Sequence, residues 1–425
     1  MDSNGLYQHV QQRRRLVVPA AIFLIVATLL WTASSSASSS YSFSKSSSLS
    51  SSSSLSSLDQ SALTNHTRDA CARVMNTQKQ LLFDTFSDVF DGVRNIALIS
   101  IPDHENKGDS AIMVAESMLL AALGINVVYS CGVKDCDMET LASVVQQYGN
   151  NHFAIAFHGG GNFGDLYTRE HNLKLDVMNA YPDVRMHVFP QSLKFRSDET
   201  MQATKKVLAK LKHASIAVRD NQSYDFAMKH FAHKGLRVDM TPDIVFYMGF
   251  RPELRAKFGQ PEYDVLLFRR ADGERTNWDW AGGANSPDFP QPFIKTLTLE
   301  GEPPLTFKAG DWSGDFDITS EEKGLDADSN SHIQFRSWKR FMLGAEWLSS
   351  GEYVILDRLH GHIFSLVLGI QHVIKDNKIG KLSDYHSTWT KDCPLATLVK
   401  EDSAEAVRDA YQAWVHNGKI DGRSF

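Results

Sequence analysis

The stretch FAIAFHGGGNFGDLY, residues 153–167, constrains this chain more than any other part of it. Phe153, Ala154, Ile155, Ala156 and Phe157 form a short unbroken apolar run, the pattern of a strand buried on both faces. Gly159, Gly160 and Gly161 follow His158, and then come Asn162, Phe163, Gly164 and Asp165 before a helical pattern resumes. Without Cβ atoms the backbone can turn sharply and bring its N–H groups close to an anion. His158 falls at the C-terminal end of the strand, where open α/β sheets hold their ligands, and Asp165 is placed to cap the next helix.

Other readings compete for the same residues. Residues 159–164 match G-x-G-x-x-G, but the next strand ends in Pro190-Gln191, not in the acidic residue that holds a ribose. His158-Gly-Gly is also the start of a lipase-type oxyanion loop, yet no G-x-S-x-G elbow occurs in the chain. A plain turn packing a helix on a sheet needs one or two glycines rather than four and a histidine. An anion-binding loop fits best.

Around this loop the hydrophobic period alternates between strand and helix. Strands are expected over 95–101, 125–130, 153–157, 185–190 and 214–219, with helices over 110–123, 138–148, 199–212 and 223–231. Strands separated by helices imply a parallel, doubly wound sheet. Residues 242–261 read as a boundary. Beyond it the pattern gives strands over 264–270, 353–356 and 371–374 and helices over 335–348, 363–368 and 404–414. Residues 278–328 are rich in Gly, Pro, Asp and Trp and read as an irregular insertion. The expectation is two α/β domains, 71–245 and 246–425, with a cleft between them.

The first 70 residues read as lying outside that fold. Arg13, Arg14 and Arg15 precede an uncharged span, 16–33, long enough for a membrane anchor, with a cleaved signal peptide as the rival. Basic residues ahead of the span put 1–15 in the cytosol and the rest in a lumen. Residues 34–70, dominated by serine, read as a disordered stem. Tail, anchor, stem and globular domain in that order suggest a Golgi enzyme, and the sequons at Asn65 and Asn221 support this mildly. Cys71, Cys131, Cys136 and Cys393 are even in number and suit an oxidising lumen, with Cys131 and Cys136 the expected pair. A net charge of −6 argues against nucleic acid as the main partner.

Five groups fall at expected strand ends: Lys107-Gly108-Asp109, His158, Pro190-Gln191-Ser192, Arg219-Asp220 and Asp357-Arg358-Leu359-His360-Gly361-His362. The last joins a guanidinium fork, a titratable imidazole and a helix start. Its bland counterpart is an Asp357–Arg358 ion pair with His360 capping the helix; for Arg219-Asp220 it is a surface pair. Lys378 by itself reads as a solvated lysine. Metal-cage, Walker and serine-triad patterns are absent.

Taken in order, GDSAI at 108–112, HGGGNFGD at 158–165, FPQS at 189–192, RD-x-x-S at 219–223 and DRLHGHI at 357–363, with Lys378 beyond them, resemble the polysaccharide pyruvyl transferases. The resemblance covers about 95–378. It implies a GT-B-like pair of Rossmann-type domains and transfer of pyruvate from phosphoenolpyruvate to a sugar as a ketal. With a Golgi anchor, the chain is similar to members that pyruvylate terminal galactose on glycans. The donor brings a carboxylate and a phosphate, so Arg219, Arg358, Lys378 and the backbone of Gly159, Gly160 and Gly161 are the expected anion donors. Asp109, Asn162, Asp165, Gln191, Ser192 and Leu359 complete the expected substrate-binding set. His360 is the first choice for acid or base and His158 the second. Neither a metal nor a further cofactor is called for. A nucleotide-sugar glycosyltransferase on the same fold and a non-catalytic glycan-binding protein remain as alternatives.

Overall fold

The computed structural model describes residues 57–149, 152–269, 293–297, 304–312, 333–376, 380–399 and 404–425. The expected anchor at 16–33, most of the expected stem and Lys378 lie outside them. No helix among the described residues is long and apolar enough to cross a membrane.

The chain enters as a long helix, α1 (Ser57–Val89), which corrects the disordered stem over 57–70. Its buried face is Thr67, Cys71, Met75, Gln78, Leu82, Phe86 and Val89, a stripe at helical spacing that mixes polar and apolar side chains. A disulfide between Cys71 and Cys393 ties this helix to the far end of the chain, and the expected Cys131–Cys136 bond closes a tight turn.

Next come β1 (Asn95–Ile99), α2 (Lys107–Ala122), β2 (Asn126–Cys131), α3 (Met138–Tyr148) and β3 (Phe153–Phe157). They are followed by β4 (Gly160–Gly164), α4 (Thr168–Ala180), β5 (Met186–Lys194), α5 (Asp198–Leu208), β6 (Ala214–Val218), α6 (Asn221–His230) and β7 (Leu236–Met240). The strands lie in the order β2-β1-β3-β5-β6-β7, all parallel, with β4 paired to the far half of β5. The glycine stretch is therefore a short strand and not the free loop expected. Gly160 and Gly164 hold φ of 113° and 136°, which L side chains rarely adopt. Strand β5 changes partner from β3 to β4 at a bulge around Pro190, the residue with no N–H to give a ladder.

A buried 3₁₀ turn, Ile244–Met248, and α7 (Pro252–Arg255) lead into the second sheet. It is built from β8 (Tyr263–Phe268), β9 (Phe293–Leu297), β10 (Leu305–Gly310), β11 (Gly351–Leu356), β12 (His372–Lys375) and β13 (Ala396–Val399). Their order is β13-β12-β11-β8-β10-β9, parallel except for β9. Two strands thus occupy part of the stretch expected to be irregular. Helices α8 (Ile333–Ser349), α9 (Leu359–Leu368), α10 (Lys381–Tyr385) and α11 (Ala404–His416) complete the described structure.

One apolar core runs from the first sheet, where Ile96, Leu98, Ala154 and Ala156 face it, through α1 and α2 to Leu266, Phe268, Val354 and Leu356 of the second. Helix α2 packs against α8, so one helix of the first half is shared by both. The chain is a mixed α/β fold of parallel sheets.

Candidate active site

Parallel strands leave their C-terminal ends free for chemistry, and the expected residues gather there. Arg219 follows β6 and is buried. Its amide donates to the Gln191 carbonyl oxygen at 3.0 Å, and its Nε donates to Ser192 Oγ at 3.0 Å. Ser192 Oγ in turn donates to Asp220 Oδ2 at 2.6 Å, while Asp220 Oδ1 accepts the Ser223 amide at 2.8 Å and so caps α6. Gln191 therefore holds the Arg219 backbone and Ser192 orients its guanidinium. The surface pair weighed as the bland reading of Arg219-Asp220 is not formed: the guanidinium pairs with Asp243 instead.

Asp243 is the anion on which both halves meet. It lies just past β7 and is fully buried. Its amide donates to the Tyr385 hydroxyl at 3.0 Å and its Oδ1 accepts the Val245 amide at 2.9 Å. Its Oδ2 takes Arg219 and sits 3.6 Å from His360 Nε2, an ion-pair distance and not a hydrogen bond. Burial pushes the carboxyl up, but Arg219 and then His360 outweigh it and hold the group well below the usual carboxylate range.

His360 is the second residue of α9, and apart from Asp243 its Nε2 has no partner among the described residues. Its ring lies against Gly108 near the start of α2, where a Cβ would overlap Nδ1. Arg358 takes the N-cap position of α9 with no side-chain cap, so capping falls to neither it nor His360. Arg358 pairs with Asp311, just past the end of β10, with its guanidinium 5.6 Å from the Phe268 ring centre. Leu359 packs on the core.

The other imidazole is set differently. His158 Nδ1 lies 2.8 Å from Glu116 Oε2, and Glu116 Oε1 accepts the Gly159 amide at 2.8 Å. Gln191 Nε2 donates to the His158 carbonyl oxygen at 2.6 Å. One carboxylate thus fixes both the ring and the first glycine, and His158 Nε2 is buried without a hydrogen-bond partner among the described residues. Gly161 faces Arg219: a Cβ there would lie 3.6 Å from Nη2. Asp109 Oδ1 lies beside Gly160, and its Oδ2 is 3.7 Å from His104 Nε2. Asn162 Oδ1 accepts from Lys174 Nζ at 2.8 Å.

Asp165 does not cap α4, whose N-cap is Tyr167 without a side-chain bond. Its Oδ2 accepts the amides of Arg196 and Ser197 at 2.7 and 2.6 Å and pins the entry to α5. A carboxylate two residues before the cap reached the amides of another loop first. Asp243, Glu116 and Lys174 were not singled out in the sequence. Only Asp243 had a signal, as an acid shortly after a strand that itself went unread. Among the described residues no group of three or more His, Cys, Asp or Glu could hold a metal ion.

The family model for polysaccharide pyruvyl transferase matches residues 106–378. "Pyruvyl transferase 1" of Schizosaccharomyces pombe is 35% identical over 352 residues, 82% of this chain and 83% of that one. A Bacillus subtilis protein, EpsO, provisionally named a pyruvyl transferase, is 27% identical over 59% of this chain and 73% of its own. Among solved structures, an uncharacterized protein of Klebsiella pneumoniae aligns with a TM-score of 0.46 at 16% identity, over 76% of this chain and 99% of that one. The matched stretch contains Glu116, His158, Arg219, Asp243 and His360, and the chain belongs to the polysaccharide pyruvyl transferase family.

Proposed function

We propose that this pyruvyl transferase moves pyruvate from phosphoenolpyruvate onto two hydroxyls of a terminal sugar, galactose by preference, as a ketal. The observation that carries the reading is the meeting of Arg219 and His360 at Asp243, with Arg358 on the adjoining turn. Two guanidiniums and the backbone of the glycine stretch suit a donor with a carboxylate and a phosphate. An acid beside them protonates the donor's methylene carbon, which leaves an electron-poor centre at the carbon bearing the phosphate. One sugar hydroxyl adds there and loses its proton, phosphate departs, and the second hydroxyl closes the ring as it loses its own. Of the two hydroxyl protons, one balances that placed on carbon and the other leaves with phosphate.

His360 suits the acid, since its Nε2 makes no hydrogen bond among the described residues and its ring is braced between Gly108 and Asp243. The two sheets, meeting at their C-terminal ends, suit a GT-B-like arrangement. We propose further that residues 16–33 anchor the chain in the Golgi membrane with its catalytic part in the lumen. The test of the reaction is incubation of the protein with phosphoenolpyruvate and a panel of β-galactosides. A product heavier by one pyruvyl ketal, with phosphate released in equal amount, is expected. Turnover with a nucleotide sugar and none with phosphoenolpyruvate would reject the reading.

A further inference from the structure

Lys174, on α4, is completely buried. It reaches over the C-terminal edge of the first sheet, donating to Asn162 Oδ1 at 2.8 Å and to Ser100 Oγ at 3.3 Å. Both acceptors are neutral, and no carboxylate among the described residues pairs with it directly. Ser100, just past β1, is held at φ 65°, a left-handed conformation that costs energy for a residue with a Cβ and clusters at functional sites. Asn162 belongs to the glycine stretch, and Gly161 beside it faces Arg219. That stretch is thus bracketed by two buried basic side chains, one paired with a carboxylate and one not.

We infer that Lys174 is the proton-accepting cation of the donor site: it takes up a proton when an anion settles on residues 159–162 and releases it when the anion leaves. An unpaired ammonium in the interior loses its hydration without compensation, so it gives up its proton instead. Burial accordingly pushes Lys174 down, with Glu170 of its own helix and Glu116 and Asp109 of α2 opposing, to about 7. His171, next to Glu170, and Arg219 beyond Gly161 are the other ionisable groups around it. Those carboxylates are too distant to pair with it. A phosphate or carboxylate on the glycine stretch supplies the missing negative charge, and the charged form becomes the stable one. This keeps the empty site from holding two like charges and adds a cation once the donor is present.

The inference rests on the phosphoenolpyruvate reading, and calorimetry can separate the two. Full-length protein is titrated with phosphoenolpyruvate at pH 8 in two buffers of different ionisation enthalpy, which gives the protons taken up per site. With a group near 7, about nine-tenths of a proton is expected at pH 8 and little at pH 6, where Lys174 is already charged. Lys174→Gln keeps an N–H for Asn162 and removes the charge. It should lose the uptake and bind about tenfold more weakly. Lys174→Met serves as the second variant and should melt no lower than wild type, since a buried amine is removed. Wild-type uptake near zero at pH 8, or full uptake retained in a folded variant, overturns the inference alone. Absence of any binding by wild type overturns the donor reading and this inference together.

Discussion

Two basic side chains that look equivalent in the sequence do different work. Arg358 is itself partly exposed beside the buried Asp311, so water can enter the place its side chain vacates. Arg358→Ala is expected to keep its fold and raise the donor KM by about ten- to a hundredfold, as loss of a charged hydrogen bond does. Arg219 is buried against Asp243, and removing one partner of such a pair strands the other charge at a cost of roughly 3–5 kcal/mol. Arg219→Ala should therefore lower the melting temperature as well as activity. Equal melting temperatures for the two variants would reject this division. His360→Ala should leave the donor KM nearly unchanged and lower kcat by about 10²–10⁴, read in steady-state kinetics after a thermal melt. A folded His360→Ala enzyme with normal kcat would pass the acid to His158, whose buried Nε2 also makes no hydrogen bond among the described residues.

Helix α2 links these side chains, because its first turn meets His360 and its third holds His158 through Glu116. Its glycine is a point of close approach between the two halves. Gly108→Ala is favourable to a helix by propensity, so secondary structure should survive. The added Cβ would push the His360 ring from its place beside Asp243. A displacement of about 1 Å at a reacting group can cost on the order of 10²-fold in rate. Circular dichroism unchanged with kcat reduced to that extent is the expected result; full activity would show that the ring has room to shift. Strand β4 was not legible because three glycines in sequence carry turn propensity. What makes them a strand is the exposed ladder of β5 beyond its bulge, a partner from another part of the chain.

For the molecule as a whole, buried imidazoles set the response to acid. His362 and His372 share a hydrogen bond at 2.7 Å, while Thr390 joins His362 to His386. Burial pushes His372 down to about 3 and His362 well below its ordinary value, and burial likewise lowers His171 to about 4 and His187 to about 3. These groups bind fewer protons folded than unfolded, so their contribution is complete above pH 6.5 and is lost as pH falls toward 4. Each such imidazole opposes folding by roughly 2 kcal/mol at pH 5. Melting temperature should therefore drop steeply from pH 7 to pH 5, and a flat profile would contradict the buried neutral histidines. The topology expected from the basic residues before 16–33 has its own test. A C-terminal tag on sealed microsomes should resist protease until detergent is added, and digestion without detergent rejects a luminal domain.

Local pattern alone was enough for most of the alternating strands and helices from 95 to 231, β4 excepted, and for the residues at the strand ends. Both follow from hydrophobic period and glycine position within a few residues of each other. The helix over 57–89 was hidden because its buried stripe contains Thr67, Cys71 and Gln78. Such residues signal burial only when something covers them, and here Cys393 and the Trp389 carbonyl do, more than 300 residues away. The partners Asp243, Asp311 and Glu116 were hidden for the same cause. A carboxylate becomes the counter-ion of a given arginine or histidine through the crossing of strands and helices, and sequence spacing carries no record of that. Charge and residue type named the candidate groups, and long-range packing chose which of them stand together.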